Sequence, residues 1–170
     1  SALGVSAEKE RAAVSLAATS ALIRQRGERA GGTAKDVLDA QALMAEDPTL
    51  KDDITARIDA GKTAERAVFE AFAGFRDMLS ALGGYMGERA GDLDDVSQRV
   101  VAHLAGVPAP GVPDVDHPFV LVAHDLAPAD TALLDLDKVL ALVTSDGGPT
   151  SHTAILAREK SIVAVFGEIG

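Results

Sequence analysis

Across residues 107–118 the chain carries Pro108, Pro110, Pro113 and Pro118, together with Gly111. Proline lacks an amide hydrogen and holds φ fixed, so this density forbids helix and suits an extended connector. The hydrophobic pattern changes period across it. Before the connector, apolar residues recur every three or four positions, as on helices. After it they come in short continuous runs, as in buried strands. The expected fold is α+β in two subdomains: a helical bundle over residues 1–106, the connector at 107–118, and an α/β subdomain over 119–170.

On the helical side Ser6 stands as a cap for the first helix, with Glu8 and Glu10 suited to its positive end. Val14, Ala17, Ala18, Ala21 and Leu22 form a narrow stripe for burial that fades at Gly27, and Gly31-Gly32 marks a loop. Thr33 with Asp36 resembles a capping box, opening a second helix through Val37, Leu38, Gln41, Met44 and Ala45. Asp47 caps a third, with Pro48 in its first position and Leu50, Ile54 and Ile58 on one face. Thr63 caps a fourth, whose Val68, Ala71, Phe72, Phe75, Met78, Leu79 and Leu82 make the best helical stripe and the expected anchor of the core. A fifth runs through Leu93, Val96, Val100, Val101 and Leu104 to Gly106, with His103 beside its stripe.

Beyond the connector, residues 119–123, 139–144 and 162–166 read as strands, with a short helix near 129–134 and another over 151–158. That alternation implies crossovers and parallel strands. About 50 ordered residues make a thin core, and three strands leave sheet edges uncovered, so further strands are expected to be missing from this sequence.

Residues 147–158 read Gly-Gly-Pro-Thr-Ser-His-Thr-Ala-Ile-Leu-Ala-Arg. Glycines allow a sharp turn, and the first amides of the following helix point outward without partners. Those amides and the positive helix end make a seat for an anion such as phosphate. An imidazole there is a potential nucleophile, since its ordinary pKa of roughly 6.5 leaves a neutral ring nitrogen. No Gly-x-Ser-x-Gly elbow is present. The distance to the next histidine, His124, and the absence of cysteine argue against a metal site. Thr150 and Ser151 suit either phosphate oxygens or a helix cap. Arg158, read as lying roughly on the same helix side as His152, suits either phosphate neutralisation or a structural ion pair. His124 and Asp125 close the first strand, where sites of α/β proteins gather.

Gly-Gly-x-Thr-Ser-His-x-Ala-Ile-x-Ala-Arg resembles the phosphohistidine motif of the enzyme I family of the bacterial phosphoenolpyruvate:sugar phosphotransferase system, which pyruvate phosphate dikinase and phosphoenolpyruvate synthase share. The preceding helical block, Glu46-Asp47-x-x-Leu50, Glu88-Arg89-Ala90-x-Asp92 and His124-Asp125-Leu126-x-Pro128-x-Asp130-Thr131 all resemble enzyme I. The resemblance implies that His152 carries a phosphoryl group and that the Thr131 hydroxyl approaches its ring. It makes Gly147, Gly148, Thr150, Ser151 and Arg158 the phosphate environment, in a swivelling phosphohistidine subdomain whose first strand segment is expected to be absent. Phosphate would come from phosphoenolpyruvate, held with Mg2+ in a C-terminal (β/α)8 barrel, so no cofactor or metal is expected in this chain. It would pass to a histidine of the small basic carrier HPr, docked at the paired helices of residues 33–60. Asp36, Asp39, Gln41, Met44 and Ala45 are the candidate contacts there, by helix spacing and charge. The parent protein is expected to be a cytoplasmic homodimer. Pro149 fills a variable motif position, and Val163 stands where a proline often follows the isoleucine of the last strand. The rival readings are the swivelling domain of a dikinase or synthase, and a non-catalytic helical adaptor with a structural His152.

Charge bears on the partner. The net charge of −10 argues against nucleic acid and for a basic partner, or simply for solubility. Asp36, Asp39, Glu46, Asp47, Asp52, Asp53 and Asp59 face only Lys51 and Arg57 within residues 36–59, so a basic protein is expected to dock there. No apolar run is long enough for a membrane span, no signal-peptide pattern opens the chain, and the lack of cysteine fits a reducing compartment.

Overall fold

The chain divides into two units, residues 1–110 and 111–170. Structure, from a computed structural model, is described for residues 2–109, 116–126, 134–147 and 151–167, with residues 2, 3 and 152 described by backbone alone.

The first unit comprises α1 (Ala2–Ala30), α2 (Gly32–Glu46), α3 (Pro48–Asp59), α4 (Ala64–Leu82), α5 (Gly84–Glu88) and α6 (Ala90–Ala105). Two caps act as their residues dictate. Asp47 accepts from the Leu50 amide at 3.0 Å ahead of Pro48, and Thr63 accepts from the Arg66 amide at 3.3 Å. Gly106 ends α6 in the left-handed region (φ 68°), where a side chain would be strained. The expected caps at Ser6 and Thr33 are not formed, because both residues lie inside helices. The α1–α2 corner is turned instead by Gly31 and Gly32 at φ 65° and 56°.

The buried face of α1 differs from the expected stripe. Val14 and Leu22 are 56% and 43% exposed, while Ala12, Ser15, Leu16, Thr19, Ser20, Ile23 and Gly27 are buried. These recur at helical spacing, but hydropathy hides them because three carry hydroxyls. Two of those hydroxyls have inward partners: Ser20 donates to Glu46 Oε1 at 2.5 Å, and Ser15 Oγ lies 2.8 Å from His103 Nδ1. At Gly27 the two helices approach closely, since a Cβ there would stand 3.4 Å from Leu38 Cβ.

Helix α4 buries Val68, Ala71 and Phe72, half-buries Phe75 and Leu79, and leaves Met78 and Leu82 exposed. Its apolar stripe therefore outruns the bundle that covers its first half. Gly83 then breaks the chain at φ 65°, and the short α5 follows, an element absent from the sequence reading.

In the second unit β1 (Phe119–Ala123), β2 (Val139–Thr144) and β3 (Val163–Phe166) form a parallel sheet in that order, with α7 (His152–Glu159) between β2 and β3. Leu121, Leu142 and Ala164 align across the ladders and pack with Leu126, Leu134, Val139 and Ala157 into the core of the unit. Val120, Val122, Val163 and Val165, on the opposite face, are exposed. The strands expected to be wholly buried thus alternate, because one sheet face is covered. The helix expected near 129–134 falls, apart from Leu134, outside the described residues.

Candidate functional site

The turn leaving β2 is held from both sides. Beyond the last strand residue, the amides of Ser145 and Asp146 donate to the carbonyls of Ala123 and His124 at 3.2 and 2.8 Å, prolonging the β1–β2 ladder. Thr144, fully buried, donates its hydroxyl to the Asp146 carbonyl at 3.0 Å and closes the turn from inside. His124 Nδ1 lies 2.7 Å from Ser145 Oγ on the exposed side. Asp125 accepts from the Leu126 amide at 2.8 Å, a turn-forming contact.

Gly147 follows at φ 92°, and a Cβ there would lie 3.2 Å from both Cβ and Oγ of Ser151. Backbone angle and space both demand glycine. Ser151, extended at φ −65° and ψ 158°, caps α7: its Oγ accepts from the Ala154 amide at 3.1 Å and its carbonyl from the Ile155 amide at 3.0 Å. The cap reading of Ser151 therefore holds. His152 is the first residue of α7, where helix amides lack intrahelical partners. Thr153, Ala154 and Ala157 bury the inner side of α7, and the hydroxyl of Thr153, a residue 2% exposed, has no hydrogen-bond partner among the described residues.

Arg158 does not share the helix side of His152. Six residues of helix carry it about 9 Å along the axis and about 240° around. It stands exposed in the last turn, where a cation complements the helix dipole. Thr131, Gly148, Pro149, Thr150 and the side chain of His152 lie outside the described residues. Among the described residues no group of His, Cys, Asp or Glu could hold a metal ion, and no helix is long and apolar enough to cross a membrane.

On the helical unit, the candidate contacts separate by burial. Asp36 is exposed, and Asp39 and Met44 are half-buried. Gln41 and Ala45 are both 0% exposed, so direct partner contact by either is ruled out in this conformation. They sit on the core side of α2, where Gln41 Nε2 donates to Asp92 Oδ1 at 3.3 Å. The acidity of residues 36–59 is also largely spent within the fold. Asp39 pairs with Lys35, Glu46 with Arg24, Asp53 with Arg57 and Asp59 with Lys9, while Asp47 is a cap. Hydrogen bonds from Arg24 and Ser20 hold the Glu46 carboxyl below the usual range. Asp36 and Asp52 remain as exposed acids. A surface that sequence reasoning missed lies at the end of α4 and on α5, where Met78, Leu82, Tyr85 and Met86 are exposed and Arg89 stacks on the Tyr85 ring at 4.9 Å. Its only sequence signal was an apolar stripe longer than the bundle needs.

Residues 1–89 match the family model described as PEP-utilising enzyme, N-terminal, and residues 115–168 that described as PEP-utilising enzyme, mobile domain. A phosphoenolpyruvate-protein phosphotransferase of Streptomyces coelicolor is 56% identical over 158 residues, covering 93% of this chain and 28% of that protein. The protein of the same name from Enterococcus faecalis is 40% identical over 149 residues, covering 85% and 26%. The chain thus spans little more than a quarter of these curated relatives. A solution structure of Enzyme I superposes with a TM-score of 0.85 at 33% identity, covering 98% of this chain and 70% of that one. A structure described as the N-terminal domain of Enzyme 1 - Nitrogen gives 0.71 at 30% identity, covering 99% and 71%.

Proposed function

The chain belongs to the PEP-utilising enzymes, as part of an enzyme I N-terminal domain, and from that premise we propose that His152 carries a phosphoryl group between two larger partners. The observation that carries this reading is the turn itself: a strand end bonded on both sides, a glycine packed on Ser151, and a capped helix starting at His152. That is equipment for positioning and charge stabilisation, which dominate phosphoryl transfer.

In the first step the neutral ring nitrogen attacks phosphorus of phosphoenolpyruvate in line. The nitrogen–phosphorus bond forms as the bond to the enol oxygen breaks, and enolpyruvate leaves as the precursor of pyruvate. In the second, a histidine nitrogen of HPr attacks the same phosphorus and His152 leaves as imidazole. Thr131 serves as the hydroxyl that steadies the ring. Phosphoenolpyruvate and Mg2+ are assigned to a C-terminal barrel of the whole protein, and no metal to the second step. HPr, being basic, is assigned to the helical unit, over exposed Asp36 with Asp39 and Met44; Gln41 and Ala45 support that surface from beneath.

The test is to mix the chain with phosphorylated HPr and read intact mass. One acid-labile, base-stable phosphoryl adduct is expected, and His152→Ala should abolish it with helix content unchanged. An adduct that persists in that variant refutes the assignment.

A further inference from the structure

We infer that His124 is a positioning residue for the turn that presents the acceptor, acting through Ser145; this rests on the phosphoryl-transfer reading of His152. His124 directly follows β1, and its exposed ring has little packing to hold one rotamer. The 2.7 Å contact from Nδ1 to Ser145 Oγ supplies that hold. The same residue is tied through its backbone, since its carbonyl receives the Asp146 amide at 2.8 Å. From Ser145 the chain passes through Asp146 to Gly147, where Ser151 leaves no room for a Cβ, and Ser151 caps the helix that starts at His152. A continuous path of contacts therefore joins the end of β1 to the first turn of α7.

The chemistry of the pair suits a fixed link. A serine hydroxyl donates to a bare ring nitrogen or accepts from a protonated one, so the bond can form with either tautomer. Removing the ring leaves both backbone bonds of the ladder extension and all of the core. What is lost is a local tie on the turn, so the effect should fall on rate and on local amide exchange, and not on the melting temperature.

The test uses the full chain with phosphorylated HPr as donor. In His124→Ala the maximal rate of adduct formation at His152 should fall about tenfold, as expected for one lost orienting hydrogen bond. The half-saturating HPr concentration and the melting temperature should stay unchanged, because docking is assigned to the helical unit. His124→Asn, whose side-chain amide stands near the position of Nδ1, should restore most of the rate. Ser145→Ala should copy the loss, and the double variant should add nothing further. A wild-type rate in His124→Ala, failure of Asn to restore it, or losses that multiply in the double variant would overturn the inference. Amide exchange at Asp146 and Ala154 judges the link without phosphate: it should quicken in His124→Ala, and unchanged exchange refutes the link. If the wild-type chain takes no phosphoryl group while that exchange does quicken, the phosphohistidine reading fails and the mechanical link stands.

Discussion

Gly147→Ala perturbs the site through two separable effects. At φ 92° an L-residue pays a backbone penalty of roughly 1–2 kcal/mol. The added methyl would also stand 3.2 Å from Cβ and Oγ of Ser151, so the serine must retreat by a few tenths of an ångström. That retreat strains the cap to the Ala154 amide, now 3.1 Å, and loss of such a cap costs about 1 kcal/mol. The two together come to about 2–3 kcal/mol of local destabilisation. Hydrogen exchange reads this directly. The amides of Ala154 and Ile155, which bond to Ser151, should exchange about 30- to 140-fold faster, and phosphoryl uptake by His152 should slow in parallel. Gly31→Ala is the control, because Gly31 has φ 65° and a Cβ added there would meet nothing within 4 Å. It should show the backbone penalty alone, read as loss of stability in the helical unit. Unchanged exchange at both α7 amides would refute the claim that Gly147 holds the cap. Equal destabilisation by the two substitutions would refute the contact with Ser151.

Acid should weaken the helical unit through its paired carboxylates. Glu46 is held low by Arg24 and Ser20, Glu65 by Arg11, and Glu8 by the Ala64 amide and Arg11. Their folded pKa values lie below the unfolded one, so their stabilisation is present above about pH 4.3 and is lost as pH falls through the folded values. Melting curves between pH 7 and 3 should show that loss, and Glu46→Gln should lower the neutral-pH melting temperature while flattening the acid limb; an unaltered acid limb refutes its share. Asp47→Ala removes the cap of α3 and should cost about 1 kcal/mol, or roughly 4–8 °C in melting temperature for a unit of this size. A fall below about 1 °C would show that Pro48 suffices to start the helix.

What was legible in the sequence was whatever its own neighbours decide. Asp47, Thr63 and Gly106 act within a few residues of themselves, and β2 spans 139–144 because a β-branched run bounded by turn residues has few alternatives. The face of α1 was illegible for the opposite reason. Ser20 is buried because Glu46 answers it from 26 positions away, and Ser15 because His103 lies 88 positions away. Without those partners a hydropathy pattern prefers Val14 and Leu22, which the fold leaves exposed. Acid counting failed in the same way over residues 36–59, where long-range and i,i+4 cations absorb most of the charge. At the site, the Gly-Gly to helix pattern announced the turn. Only the Ala154 amide decides that Ser151 is the cap, and Arg158 was misjudged on helix geometry that about 100° per residue would have settled.

The size of the side chains along this turn bears on what it can serve. Thr144, Ser145, Asp146, Gly147 and Ser151 are all small, and Thr144, Ser145 and Ser151 are held by hydrogen bonds within the unit. Under the proposed transfer to a protein acceptor, a deep cleft would order a small substrate well but would shut that acceptor out. Among the described residues the turn is lined by short side chains held by hydrogen bonds, which suits an acceptor that is itself a folded protein. Rigidity must then come from hydrogen bonds in place of packing. The turn is therefore expected to be more sensitive to loss of one hydroxyl or one glycine than to loss of an apolar contact in the core beneath it, which phosphoryl uptake in Gly147→Ala and Ser145→Ala compared with Leu142→Ala measures.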